Sequence, residues 1–429
     1  MNVLEKAYNA WCAADTLRQR RKRYKNYTYG DQWCDQVRDS NGNLVREETL
    51  IEKSGGKPLK NNLIRQLVKS VVGRYRTQAA EAALYSRPGI AEAAHRNSLA
   101  ELDSRLLEEF LISGCAIQHI VHERRWGGCG AWVDNVDLPR FFVNAFRDPR
   151  GGDIELAGML HDMTMPEIIN RFAGGSRAKA EEFRRVYAGT DAASACIAST
   201  GSPSDSDDFF ICTADGRHRV IEVWTFDCRE SKGADMHMEF SWHYRFMAPD
   251  GTVLDEGDSP YAHGSHPFVV RFYPLTDGEV HSFVEDVIDQ QRYINRLIVM
   301  IDKMMATSAK GVLLFPADQM VDSFKWSDIT RVWAHSDGVI PISGRGTHLP
   351  QQVVTNTSGS GAYQLLELQM KLFEDISGVG DALLGRTSGT ARGVEMFDTQ
   401  VRNATIALAD IFDTFTVFTD VRNEKLTSL

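Results

Sequence analysis

The chain lacks any apolar run near the ~18 residues of a membrane span. The longest near its middle is LIVMI, Leu297 to Ile301. The first 27 residues, MNVLEKAYNAWCAADTLRQRRKRYKNY, have no apolar core of a secretory leader and turn basic instead. The sequence thus reads as a soluble chain that is not exported. Its seven cysteines, at 12, 34, 115, 129, 196, 212 and 228, form no C-x-x-C pair. This argues against a disulfide framework and a structural zinc site, and leaves reduced thiols that are expected to be mostly buried. Basic charge is also short, with 48 Lys and Arg against 58 Asp and Glu and a net charge of -10. A domain that wraps nucleic acid by global attraction is usually basic, so any hold on DNA here should be weak.

Several catalytic signatures are missing as well. The loop GRTSGTARG, Gly385 to Gly393, resembles a phosphate-binding loop but has no G-K-[ST]. It also follows a helix where that motif follows a strand. His119 and His122 sit three apart in strand-like sequence, and HERRW is not H-E-x-x-H. His161 and Asp162 are adjacent, so they do not share a helical face, and His263 and His266 lie in the turn AHGSHPF. Each histidine is read as structural or exposed. No G-x-S-x-G occurs, and the pairs Glu108/Glu109 and Glu285/Asp286 fall on polar helix faces. No catalytic site, metal or cofactor is expected.

What is present is a globular composition, 43% hydrophobic and 25% charged over 429 residues, enough for two or three structural units. Residues 1–25 read as a helix ending in RQRRKRYK, a solvated basic end in preference to a nucleic-acid patch, followed by the polar and aromatic loop YGDQWCDQVRD. Asn61 to Gln78 is an amphipathic helix behind an Asn61/Asn62 cap. Ala94 to Trp126 begins as a helix and changes to period two after Gly114. Short strands are expected at AWVDNVDL, RFFVN, RVIEVWTFDCRE, EFSWHYRFMA and PFVVRFYPL, with a helix at MPEIINRFA. The part of Gly175 to Asp208 after Gly189 is small and polar, and reads as a mobile surface loop. The fold class is α+β.

From Ser282 the pattern becomes helical. Phe283 to Ala309 carries one apolar stripe including Val284, Val287, Ile288, Ile294, Leu297 and Ile301, and would rise ~40 Å. A compact insert with two short strands and turns follows. Then come the helix YQLLELQMKLFEDI, the loop ALLGRTSGTARGVEM and a last amphipathic helix, Val394 to Arg422.

This order resembles the portal proteins of tailed bacteriophages. The resemblance rests on YGDQW, NNLIRQLVKSVVG, LLEEFLISGCAIQHIVHE, RDPRGGDIELAGMLHDMTMPEIINRF, HPFVVRFYPLTDGEVHSFVEDVIDQQRYINRLI and ISGVGDALLGRTSGTARGVEMFDTQVRNA, in that order between Tyr29 and Ala404. It implies a homo-oligomeric ring of about twelve subunits around a channel for double-stranded DNA, read without sequence specificity. By position it implies an α/β wing at 1–282, a first stem helix at 283–309, a small β-containing clip at 310–358 and a second stem helix at 359–376. A tunnel loop at 377–392 and, at 393–429, a long wing helix below a minimal or truncated crown complete the scheme.

The tunnel-loop residues Arg386, Thr387, Ser388, Thr390 and Arg392 would touch phosphates transiently, the arginines otherwise pairing with a neighbour's acids. Lys303 and Lys310 would line the channel unless paired with Asp302 or acids across the interface. Phe315, Asp318, Phe324, Trp326 and Trp333 of the clip would meet partners, or bury within the clip itself. The implied partners are the large subunit of the terminase motor, the capsid and scaffold proteins and a head-completion adaptor, with no membrane. The implied location is the capsid vertex of the virion, and the bacterial cytoplasm during assembly. Two other readings stay open at this point: a metal-dependent DNA-processing enzyme of a mobile element with dispersed ligands, and a cytosolic structural oligomer unrelated to DNA.

Overall fold

The computed structural model describes residues 2–82, 88–125, 128–199, 209–211, 216–230, 238–308, 312–321, 323, 325–334, 340–344, 348–353, 360–379, 406 and 408–429. These fall into two compact units. The first comprises Met1–Cys34, Asn62–Asp289 and Glu374–Leu429, the second Asp35–Asn61 and Gln290–Phe373.

The N-terminal sequence forms two helices, α1 (Val3–Ala13) and α2 (Asp15–Tyr29), in place of the single one expected over 1–25. The break falls at Ala14, and α2 ends on Gly30 in the left-handed conformation that glycine adopts freely. Nor is the basic run a uniformly solvated end. Arg18 is buried, lies 3.7 Å over the Trp11 ring and donates to Asp15, while Arg21 forms a two-pronged pair with Glu109 at 2.5 and 3.0 Å. Only the remaining face, including Arg20, Lys22 and Lys25, stays exposed. The loop expected next is largely structured too: Trp33 is buried, and β1 (Gln36–Arg38) pairs with β2 (Leu44–Arg46) ahead of α3 (Glu47–Lys53).

Helix α4 (Leu63–Ala82) starts where the Asn62 side chain accepts the Arg65 amide at 2.9 Å, the expected cap. After α5 (Pro88–Asn97) and α6 (Leu99–Ser113), Gly114 at φ 73° turns the chain into β3 (Cys115–Arg125). A Cβ there would come within 2.8 Å of the His281 carbonyl, so the helix-to-strand switch needs glycine.

Strands β3 and β4 (Gly128–Asn135) pair antiparallel, and β10 (Phe268–Phe272) adds on the other side of β3. A second sheet has the order β5 (Phe141–Val143), β6 (Leu156–Thr164), β7 (Arg217–Glu230), β8 (Met238–Met247), β9 (Val253–Asp258), all antiparallel. Strands β6 and β9 were not expected. In β6 the run LAGMLHDMT hides its alternation behind Gly158, whose missing side chain makes room for the Phe142 ring. A Cβ there would meet that ring at 2.2 Å.

Alternation along β7 sends Ile221 and Val223 to one face, where they pack with Ala7 of α1, Phe142 and Leu160. Trp224 faces the other way, into a core with Ile117, Phe141, Trp242 and Phe268 that joins the two sheets. Val220 packs with Ile168 and Phe172 of α7 (Met165–Phe172) and Phe183 and Tyr187 of α8 (Arg177–Ser199). Helix α8 runs to Ser199, so residues 190–199 are helical where a loop was expected. The alanine-rich run DAASACIAS has the helix propensity to continue past Gly189. A small hairpin, β11 (Pro274–Thr276) with β12 (Glu279–Val280), leads into α9 (Glu285–Ser308), close to the expected long helix.

The second unit continues with β13 (Val312–Leu314), α10 (Trp326–Ala334) and β14 (Gln351–Val353), with β13 and β14 paired antiparallel. The second strand thus lies beyond residues 311–342, the insert in which both were expected, and the helix between was not anticipated. Helix α11 (Ser360–Ser377) spans and slightly exceeds the expected YQLLELQMKLFEDI. The last helix, α12, is Ala409–Thr427, starting behind Leu408 and running past Arg422. Residues 394–405 of the expected helix lie outside the described residues. The cysteines also differ from expectation: of the five whose side chains are described, only Cys115 is buried, and Cys12, Cys129 and Cys228 are exposed.

Helix α12 docks through charge as well as through Phe415 and Phe418. Arg422, buried, pairs with buried Asp103 of α6, which also accepts from Gln118 of β3 at 3.3 Å. Burial pushes Asp103 up from the usual carboxylate range despite the guanidinium beside it. Removing one member of such a pair leaves an uncompensated buried charge. Arg422→Leu should therefore destabilise the first unit by about 3–5 kcal/mol and expose α12, read by hydrogen exchange over 409–427.

One turn on, the Lys425 ammonium donates to the carbonyls of His266 and Phe268 at 2.8 and 2.9 Å. Burial lowers Lys425 to about 8. Burial, with Lys425 nearby, lowers His263 to about 4 and holds His266 well below its ordinary range. Between pH ~6.5 and ~4 the unfolded chain takes up protons that the folded histidines refuse, so stability falls as pH falls. A thermal-melting series over that range should show a shallower pH slope for His263→Gln/His266→Gln than for the wild type.

Candidate functional site

The described residues that the sequence marks for channel and partner contact lie in the second unit. Its long helix is held by an acid buried on α3. Glu47 receives Arg292 at 2.9 Å and Arg296 at 2.5 Å, and Asp35 stands 3.4 Å from the other Arg292 nitrogen. Gln291 and Asn295, both fully buried, bond the backbone around Asn61: Gln291 donates to the Asn61 carbonyl at 2.6 Å, and the Asn61 amide donates to Asn295 at 3.1 Å. Gly56 follows the left-handed Gly55, and a Cβ on it would press Ile51 at 3.1 Å. Segment 35–61 is thereby fixed to α9 by paired charges and satisfied amides.

Lys303, a channel candidate, is exposed on α9 and donates to the Ser54 carbonyl at 3.1 Å, capping the end of α3. It has a local structural partner that neither sequence alternative named. Lys310 lies outside the described residues, as do Phe324 and all of Arg386, Thr387, Ser388, Thr390 and Arg392.

The insert between α9 and α11, called the tip, holds a buried polar plug. Buried Gln319 donates to the His348 carbonyl and accepts the Gly344 amide, both at 3.1 Å, while its own carbonyl accepts Ser343 at 3.0 Å. Asp318 is exposed, and its backbone carbonyl accepts the Ser343 hydroxyl at 3.1 Å. Phe315 meets Trp326 edge-on with centroids 6.3 Å apart, so the structure brings these two candidates together. Trp333 is two turns along α10 from Trp326 on the same side, and only half-buried. In the same insert Leu314, Ile342 and Leu349 are exposed. This knob thus combines a buried amide cluster with exposed aromatic and aliphatic side chains.

Titratable groups also gather inside the first unit. Alternation along RVIEVW puts Glu222 on the buried face of β7. There it accepts the Trp224 indole N–H at 2.7 Å and lies 2.6 Å from His161 of β6 and 3.4 Å from His119 of β3. Burial opposes its charge, but the two imidazoles hold the carboxyl well below the usual range. Asp162, on the opposite face of β6, pairs with buried Arg219 at 2.8 Å. His119 and His161 thus serve a buried polar hub, the structural role expected of them. No grouping of metal-ligating side chains occurs among the described residues.

A family profile for phage P22-like portal proteins matches residues 203–429, just over half of the chain. The chain belongs to that family. No curated protein matches it. The match covers both long helices of the second unit, the tip and the last helix. The portal resemblance read from residues 29–202 lies outside it. The portal family is structural. Sequence reasoning missed Glu47 and Gln319, which organise this region of the portal chain. Their only signal was an acid and an amide amid polar neighbours, and long-range burial gives them their roles.

Gln319→Ala should leave the Gly344 amide and the His348 carbonyl without partners and cost about 1–3 kcal/mol locally. The measurement is Trp326 and Trp333 fluorescence in denaturant, where the tip should lose structure earlier than the far-ultraviolet dichroism of the whole chain.

Proposed function

We propose that this chain is the subunit of a portal ring of about twelve copies. The ring stands at a unique capsid vertex and forms the channel through which double-stranded DNA is packaged and ejected. The observation that carries this reading is the portal-family match over residues 203–429. Exposed apolar residues on the long helices support the ring. On α11, Tyr363 and Met370 lie on one side and Leu368 and Ile376 on another, all more than two-fifths exposed, while Phe373 is buried. A helix apolar on several sides is one that neighbours cover. Tyr293 and Met300, two turns apart on α9, add to that surface.

In this arrangement residues 283–309 and 359–376 form the stem, 310–358 the clip and 377–392 the tunnel loop. Residues 1–282 form the wing, apart from segment 35–61, which braces the stem helix through Glu47. The knob with Phe315, Asp318, Phe324, Trp326 and Trp333 docks the terminase motor and later the head-completion adaptor, which leaves ATP hydrolysis to the motor. Arg386 and Arg392, with the hydroxyls of Thr387, Ser388 and Thr390, touch phosphates without reading bases, and Lys303 and Lys310 add charge to the channel wall. An acidic chain suits a conduit, because extensive phosphate neutralisation would release counterions and hold the duplex tightly.

Light scattering with particle images should give a mass of about twelve chains and a central hole. Arg386→Ala/Arg392→Ala should keep the ring but weaken salt-sensitive retention of duplex DNA. Divalent-metal-dependent cleavage of plasmid DNA would overturn the conduit in favour of a processing enzyme, and rings indifferent to DNA would favour a purely structural oligomer.

A further inference from the structure

Strands β7 and β8 continue beyond their sheet. Strand β6 pairs with β7 only as far as Thr225, the Phe226 amide making the last bond on that side, to the Glu155 carbonyl at 2.9 Å. On the other side β9 reaches only His243, with Ser259 bonding the Trp242 carbonyl at 2.9 Å. Past these points the pair runs on as a two-stranded ribbon, in register from Phe226↔Trp242 to Glu230↔Met238, with both outer edges open among the described residues.

One face of this ribbon is apolar. Phe226, Cys228, Phe240 and Met238 share it by the two-residue period, Trp242 closes its root, and Glu230, paired with Met238, is the one charged residue on it, at its outer end. Phe226 and Phe240 stack with centroids 6.0 Å apart, and Phe226 lies 5.6 Å from Trp242. Yet Phe240 is 62% exposed, Met238 55% and Phe226 43%. Asp227 and Ser241 sit opposite each other on the other face. A two-stranded ribbon whose apolar face is left exposed among the described residues is marginal in water, and open edges beside exposed aromatics invite a partner.

We infer that this ribbon is an inter-subunit arm whose apolar face is covered by a second copy of the chain. The inference rests on the ring reading above. At roughly 200 Å² per whole side chain, the exposed parts of these three residues amount to about 320 Å², less than the ~800 Å² per partner of a stable interface. The ribbon is therefore one patch of a larger contact. A second copy supplies the remainder, because the same chain also exposes Tyr293, Met300, Leu368 and Met370. In a head-to-tail ring every ribbon meets the same surface of the next copy, so all are covered at once.

The test uses the full chain. Phe240→Glu and Met238→Glu change exposed positions, so the monomer should keep its dichroism and its melting temperature within ~2 °C. By light scattering, the concentration for half-assembly should rise at least tenfold in either variant. A photo-crosslinking residue at position 240 should give covalent dimers of this chain in the assembled wild-type background. Variants that assemble at the wild-type concentration, or crosslinks that go to co-expressed capsid or scaffold protein instead, overturn the arm while leaving the ring intact. A wild-type chain that stays monomeric at every concentration overturns the ring reading and the arm with it.

Discussion

Much of the first unit depends on compensating charges that its topology forces inside. The pair Asp103–Arg422 joins residues 319 apart in sequence. It ties the last helix to α6 and, through Gln118, to the central strand of the three-stranded sheet. Glu222 with His119 and His161 does the same between the two sheets. A buried carboxylate tolerates no approximate position, because its desolvation is offset only by partners at hydrogen-bond distance. These sites therefore fix how sheets and helix register in a core that apolar contact alone would define less sharply. Asp103 lies before the family-matched residues and Arg422 within them, so the unmatched half is an integral part of this unit.

Most elements were legible from local pattern. Gly114 marked the switch from helix to strand, Asn62 marked a cap, and the 3.6-residue stripe from Val284 to Ile301 marked the long helix. Errors arose where local pattern and tertiary context diverged. A glycine placed for a neighbouring ring hid β6, and small polar residues after Gly189 looked like a loop although their alanine content carries a helix. The basic run of α2 looked solvated because sequence cannot show that Glu109 waits for Arg21.

The candidate region was pointed to in a different way. Family resemblance suggested 310–358 as a partner-docking segment, and the structure brings Phe315 to Trp326 within it. What no pattern announced was the bracing: Glu47 meets Arg292 and Arg296 only because segment 35–61 folds onto α9, a contact about 245 residues long in sequence. Lys303, read as a channel or pairing residue, caps α3 through Ser54, a backbone contact that side-chain chemistry alone does not suggest.

The interleaved order of the two units has a consequence in time. The chain leaves the first unit at residue 34, returns at 62, leaves again at 289 and returns at 374. A growing polypeptide that has just exposed Asp103 must be extended by 319 residues before Arg422 arrives. At ~5–20 residues per second that takes roughly 16–64 s. Throughout that interval Asp103 lacks the guanidinium that compensates its burial, and the last helix is not there to dock. Maturation of the subunit is thereby coupled to synthesis of its far segment, so half-made chains lack the finished surfaces on which neighbours could assemble.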